Sequence, residues 1–211
     1  MTIFESMSKI VLVISIFLCI SGRAQSLHPL SIKGDYTAND SIQIVEAYIQ
    51  AKKAANFMYE DMLAIKRAEN QEQKWNENFA FKQWLGNAER SSASFRRIKR
   101  IHSKFAKRKI TLIVTKKNKG RCKGWISAWA LPYGKVQIRL CEDFFMYRTH
   151  LQEKVLVHEV GHETGLLSHH KIHGCRAALR AATNDSNIAK RSTENYAWLA
   201  MSYLGKDCSS R

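Results

Sequence analysis

Residues 151–162 read Leu-Gln-Glu-Lys-Val-Leu-Val-His-Glu-Val-Gly-His, and this stretch decides how the rest of the sequence is interpreted. Its apolar residues recur at the spacing of a helix with one buried face: Val155, Leu156 and Val160. His158 and His162 are separated by four positions, which puts both imidazoles on one helix face, one turn apart. The stretch therefore predicts an amphipathic helix that presents two histidines side by side.

Two imidazoles one turn apart can reach a single metal ion, and neutral imidazole is a good ligand for zinc. Glu159 lies beside this pair without needing to bind the metal, so it can act as the general base toward metal-activated water. The motif predicts one Zn²⁺ per chain with His158 and His162 as ligands. A catalytic zinc needs a third protein ligand, and further histidines follow at positions 169, 170 and 173.

Upstream of this helix the periodicity is that of β-strands. Three runs are strand candidates, residues 110–114, 125–131 and 136–140, and a Pro-Tyr-Gly turn separates the last two. Folding the chain at this turn gives an antiparallel hairpin, which brings Cys122 close to Cys141. A disulfide between these two cysteines fits that geometry.

The N-terminal half is predicted to be helical after an extended lead-in at 25–40. An apolar stripe at helical spacing begins at residue 41, a charged and amide-rich stretch follows at 66–83, and a second amphipathic helix covers 87–107. Arginine and lysine crowd the second helix, as a solvated face or as a surface for an anionic polymer. The length of the chain suits a single domain, which we place over residues 41–211.

The N-terminus has the features of an export signal. Lys9 precedes an apolar run, Ile10–Ile20, that is well short of the roughly 20 residues a membrane span needs. Gly22 and Ala24 suit cleavage after Ala24, so residues 1–24 are predicted to be a signal peptide. We expect a secreted or periplasmic protein with no transmembrane segment after cleavage, and its four remaining cysteines predict two disulfides.

The chain carries a formal net charge of +16. Such a charge favours acidic partners: anionic cell-surface polymers, lipid headgroups, acidic proteins or nucleic acid. The export signal and the paired cysteines argue against nucleic acid, because they point outside the cytoplasm.

Several motifs together resemble the deuterolysin and peptidyl-Lys metalloendopeptidase group, the aspzincins. The resemblance covers about residues 44–204, and its motifs occur in the family's order: Trp84-Leu85-Gly86, Ala128–Pro132, Ile138–Phe145, Leu156–His162, Gly174–Leu179 and Ser192–Ala200. It implies an α+β fold of the zincin-like metallopeptidase type, mostly helical with a small antiparallel sheet or hairpin and an HExxH active-site helix. It also implies zinc bound by His158 and His162, with Glu159 as the base.

The sequence departs from the family at the third ligand, an aspartate within GTxDxxYG. Aligned on Gly174, His170 falls on that aspartate and His173 on the tyrosine that helps stabilise the oxyanion. Histidine can ligate zinc, and His173 can donate to an oxyanion. The resemblance so adapted predicts His170 as the third ligand and His173 as a catalytic residue, and it leaves a lysine preference open.

A second alignment is similar to the start of the metzincin motif HExxHxxGxxH, with Gly165 as its glycine. The third histidine should then be residue 168, which is a serine, and His169 comes one position late. Met201 would be the methionine of the Met-turn. Both alignments keep the roles of the HExxH residues, and His169 remains the alternative third ligand.

The remaining cysteines predict a disulfide between Cys175 and Cys208, which would hold the closing helix against the site. The expected function is that of a secreted zinc endopeptidase that acts on peptides or proteins. The alternative is a catalytically inactive zincin-like module that binds an anionic surface or a protein partner.

Overall fold

The computed structural model describes residues 30–115, 122, 126–130, 136–146, 149–164 and 172–208. The predicted signal peptide at 1–24 and the Pro-Tyr-Gly turn lie outside these residues. The described strands are β1 (Leu30–Gly34), β2 (Ile110–Thr115), β3 (Ala128–Ala130) and β4 (Val136–Cys141). The described helices are α1 (Ala38–Arg67), α2 (Gln71–Glu77), α3 (Phe79–Leu85), α4 (Ser91–Lys107), α5 (Glu142–Met146), α6 (Thr149–His162), α7 (Cys175–Asn184), α8 (Ser186–Ala189) and α9 (Thr193–Ser202).

The predicted α+β class is confirmed, since helices predominate beside one small sheet. The strand order is β1-β2-β4-β3, with β1–β2 and β2–β4 parallel and β3–β4 antiparallel. The expectation of a small antiparallel sheet therefore holds for the hairpin alone and is wrong for the rest of the sheet. Parallel pairing needs a long crossover, and helices α1–α4 provide one between β1 and β2.

Part of the predicted lead-in belongs to the sheet, because residues 30–34 form the edge strand β1. Helix α1 then begins at Ala38, a little before the apolar stripe. Thr37 caps it: the Thr37 hydroxyl accepts from the Asp40 amide at 3.1 Å, and the Asp40 carboxylate accepts from the Thr37 amide at 2.7 Å. This reciprocal capping box fixes where the helix starts.

One core joins the long helices to the sheet. The buried face of α4 consists of the residues predicted from its periodicity: Phe95, Ile98, Ile101 and Phe105. Helix α9 is buried along most of its length, and the Asn195 side-chain amide donates to the carbonyls of Trp84 at 2.7 Å and Ala178 at 2.8 Å. Asn195 thereby fastens α9 to α3 and to α7.

Two disulfides join Cys122 to Cys141 and Cys175 to Cys208, the pairing expected from the sequence. Their Cα atoms are 5.3 and 5.6 Å apart, within the usual range for such bonds. The second disulfide ties the start of α7 to the segment after α9. Across the described part of the chain, no helix has the length and apolar character to cross a membrane.

Gly86 ends α3 at a crowded junction. Its φ of +74° is in the region that favours glycine, and an added Cβ would lie 2.6 Å from the Ala182 carbonyl oxygen and from the Ser186 Cβ. The Gly86 carbonyl in turn accepts from the Trp75 indole nitrogen at 2.8 Å. The missing side chain therefore lets α3 pack directly against α7 and α8.

We expect Gly86→Ala to lower the free energy of unfolding by more than about 2 kcal/mol, because it adds a backbone clash to an unfavourable φ. Gly205→Ala is the matched control: Gly205 also has a positive φ, +70°, but an added Cβ there meets no atom within 4 Å. The control should lose only about 1 kcal/mol. Urea unfolding of both variants measures the difference, and equal losses would contradict the packing argument.

Candidate metal and catalytic site

Helix α6 brings the two motif histidines together as the sequence predicts. The Nε2 atoms of His158 and His162 lie 3.0 Å apart, and their rings are nearly perpendicular, at 80°. Two nitrogens that bind one tetrahedral zinc at about 2.0–2.1 Å are about 3.3 Å from each other. The observed convergence therefore fits two ligands of a single ion.

A buried carboxylate orients the His158 ring through a contact at its Nδ1 atom. Glu194, on α9, has an Oε2 atom 2.9 Å from His158 Nδ1. Its Oε1 atom accepts from Lys154 Nζ at 2.7 Å, from the Gly174 amide at 3.0 Å and from the Trp198 indole nitrogen at 3.1 Å. A proton held on Nδ1 by a carboxylate leaves the Nε2 lone pair free to bind a metal.

The surroundings of Glu194 keep it ionised. Glu194 is only 2% exposed, and burial by itself raises the pKa of a carboxyl group. The hydrogen bond from His158 and the charge of Lys154 outweigh burial and hold the pKa of Glu194 below its usual value. The site thus contains a fixed negative charge next to one of the two candidate metal ligands.

Glu159 has a different environment. It is 8% exposed, and its Oε2 atom accepts from the Ala130 amide of β3 at 2.7 Å. Burial raises the pKa of Glu159 above its usual value, although the His158 charge and the Ala130 hydrogen bond act the other way. A carboxylate with a raised pKa is a stronger base than an exposed one, as general-base chemistry requires.

The structure brings together only part of the predicted ligand set. His169 and His170 lie outside the described residues. Among the residues that are described, no cluster of three or more metal-binding side chains occurs. His173 is exposed. The Thr193 hydroxyl lies 3.3 Å from His158 Nε2 and is a further polar neighbour of the histidine pair.

Two contacts at the site could not be read from the sequence. Glu194 follows the capping residue Ser192 at the start of α9, and an acidic residue in the first turn of a helix is usually explained by the helix dipole. The contact of Ala130 uses its backbone amide, which every residue except proline has, so the residue type does not indicate it. Both contacts join residues far apart in sequence, so no local period predicts them.

The described residues share their α+β fold with a solved structure. The solved structure of a zinc peptidase from Grifola frondosa matches with a TM-score of 0.62 over 80% of this chain and 98% of that chain, at 18% sequence identity. At this identity the match establishes the shared fold, and to that extent it confirms the resemblance found in the motifs. No protein-family model and no curated protein sequence matches the chain.

We expect Glu194→Gln to lower the free energy of unfolding of the metal-free protein by about 3 kcal/mol, because it breaks a buried ion pair. Glu77→Gln is the control, since the Lys74–Glu77 pair is about half exposed on both sides and should contribute less than about 1 kcal/mol. Chemical denaturation at pH 7 compares the two. Similar small losses would show that Glu194 does not organise the site.

The stabilisation of the fold by the Glu194 carboxylate depends on pH. Because folding lowers the pKa of Glu194, its stabilisation is fully present above the unfolded-state pKa and is lost as the pH falls through the folded-state pKa. The stability difference between the wild type and Glu194→Gln should therefore shrink in acid. Denaturation curves at pH 7 and below pH 4 test this, and a difference that grows in acid would contradict it.

Proposed function

We propose that the chain is a secreted zinc-dependent endopeptidase. His158 and His162 hold the zinc with a third ligand from the following segment, His170 or alternatively His169, and Glu159 is the general base. The observation that carries this proposal is the convergence of two imidazole Nε2 atoms beside a buried glutamate, with a second carboxylate behind His158. The fold shared with a zinc peptidase supports it.

A zinc ion held by these histidines would act as a Lewis acid that polarises the scissile carbonyl and makes water acidic enough to attack it. The chain's own residues have to place and move the protons. Glu159 would accept a proton from the attacking water and pass it to the leaving amine. The Ala130 amide holds the Glu159 carboxylate at 2.7 Å while it does so.

The sheet offers a place for the substrate backbone. Strand β3 is an edge strand of the described sheet, and its Ala130 amide points toward Glu159 on α6. An extended peptide can add to such an edge as a further strand. A polypeptide bound in this way would pass in front of the histidine pair, which suits cleavage within a chain.

Gly174, which precedes α7, is anchored beside the histidine pair. The Gly174 amide donates to Glu194, the carboxylate that orients His158. His173 precedes this anchored residue, which supports a role for His173 as a donor to the oxyanion. The two disulfides support secretion, since such bonds persist in oxidising compartments.

We expect Glu159→Gln to retain about one zinc per chain and to lower peptide cleavage by a factor of about 10²–10⁴, because it removes the base and leaves the ligands. Elemental analysis and an unbiased peptide library measure both quantities on the mature protein. Glu72→Gln, an exposed change on α2, should cleave like the wild type.

The outcomes separate the candidate functions. Cleavage by the wild type alone supports the endopeptidase, and the cut sites define its specificity. Stoichiometric zinc without cleavage by any form would favour the inactive zincin-like module. Unimpaired cleavage by Glu159→Gln would refute the assigned role of this residue.

Zinc should also stabilise the folded chain. A ligand at 100 times its dissociation constant adds about 2.7 kcal/mol to the free energy of unfolding, so a chelator should lower the Tm by several degrees. His158→Ala/His162→Ala should lose this response. His102→Ala should keep it, because His102 stacks on Tyr59 between α1 and α4. Equal responses of the two variants in thermal unfolding would place the metal elsewhere.

A further inference from the structure

Helix α4 presents one face of positive charge to solvent. This basic stripe consists of five residues on the side of α4 opposite its buried face: Arg96, Lys99, Arg100, Lys104 and Lys107. Lys104 is half-buried and the others are exposed, and α4 contains no aspartate or glutamate. At a rise of about 1.5 Å per residue, the stripe is about 16 Å long.

The positive charges of the stripe are not neutralised by ion pairs with carboxylates in the described parts of the chain. Within the described parts of the chain, none of its five cations is within ion-pair distance of a carboxylate. Arg96, Arg100 and Lys104 follow one another at intervals of four residues, where like charges repel and weaken a helix. The arrangement is therefore unfavourable for the isolated protein, and it would become favourable if an anion lay along the stripe.

The middle of the stripe adjoins the candidate site. Arg100 Nη1 donates to the Thr164 carbonyl at 3.3 Å, two residues after the candidate ligand His162. A polypeptide that leaves the site over the end of α6 would meet the cations of α4 within a few residues.

We propose that the basic stripe of α4 binds an acidic segment of the polypeptide substrate. The proposal rests on the endopeptidase function only in treating the bound polypeptide as a substrate. An extended chain advances about 3.3 Å per residue, so the stripe can accommodate about five residues. Continuity with the site favours a polypeptide over a polysaccharide or a membrane, which would have no reason to approach the end of α6.

The binding test uses full-length mature protein with zinc and the Glu159→Gln change, so that no peptide is cleaved. The probe is a fluorescent decaglutamate peptide, with decaglutamine as the neutral comparison. We expect the stripe variant Arg96→Gln/Lys99→Gln/Lys107→Gln to bind decaglutamate about tenfold more weakly. The variant loses three exposed charge pairs with the peptide, and each such pair is of modest strength. The control Lys33→Gln/Lys74→Gln/Lys82→Gln removes three exposed charges from β1, α2 and α3 and should change binding less than twofold.

The cleavage test uses a peptide that the active protein cuts, extended by five glutamates or by five glutamines. We expect the glutamate extension to lower KM about tenfold with little change in kcat, and the stripe variant to abolish this advantage. If the wild type cleaves no peptide of the unbiased library, the endopeptidase proposal fails and the binding test alone decides the role of the stripe. If it cleaves both extended peptides equally well, the endopeptidase stands and the stripe proposal fails.

Three further results would overturn the proposal. Equal weakening by the stripe variant and its control would show that net charge alone attracts decaglutamate. Binding to heparin, or to vesicles of phosphatidylserine and phosphatidylcholine, without binding to decaglutamate would assign the stripe to a different anion. Binding that persists in the wild type at 1 M salt would also contradict it, because exposed charges are strongly screened there.

Discussion

The burial of the Glu194 carboxylate constrains the arrangement of everything around it. A charge taken out of water must be matched by donors, or folding becomes unfavourable by several kcal/mol. The donors come from three parts of the chain: His158 and Lys154 on α6, Trp198 on α9, and the Gly174 amide before α7. The Glu194 carboxylate therefore fixes three features of the site. It sets the distance between α6 and α9, the position at which α7 starts, and the orientation of the His158 imidazole.

The two buried glutamates of the site are tuned in opposite directions by their surroundings. Glu194 is surrounded by donors and cations, which hold its pKa below the usual value despite burial. Glu159 accepts a backbone hydrogen bond from Ala130, but burial has the larger effect and raises the pKa of Glu159. Opposite shifts in neighbouring carboxylates are the usual way in which a site assigns a structural charge to one and proton transfer to the other.

The sequence predicted what local periodicity determines. Helical spacing predicted the helix carrying His158 and His162 and the buried face of α4. The Pro-Tyr-Gly turn predicted the β3–β4 hairpin with its Cys122–Cys141 disulfide, and the second disulfide was predicted from the two cysteines that remained. The parallel pairing of β1 with β2 was missed, because it joins residues about 80 positions apart, such as Leu30 and Ile110. The role of Glu194 was missed for the same reason. Its contact with His158 spans 36 positions, and neither the sequence around His158 nor the sequence around Glu194 predicts it.

The distribution of charge is compatible with the proposed binding of a divalent cation by a strongly basic chain. The net charge of +16 repels Zn²⁺ at long range, but salt screens exposed charges beyond about 8 Å. Close to the histidine pair the balance reverses, because Glu194 and Glu159 are both nearly inaccessible to solvent and their charges are screened much less. The surface cations of α4 therefore need not weaken metal binding. They remain available to act on an anionic partner outside the site, while the buried carboxylates set the local charge within it.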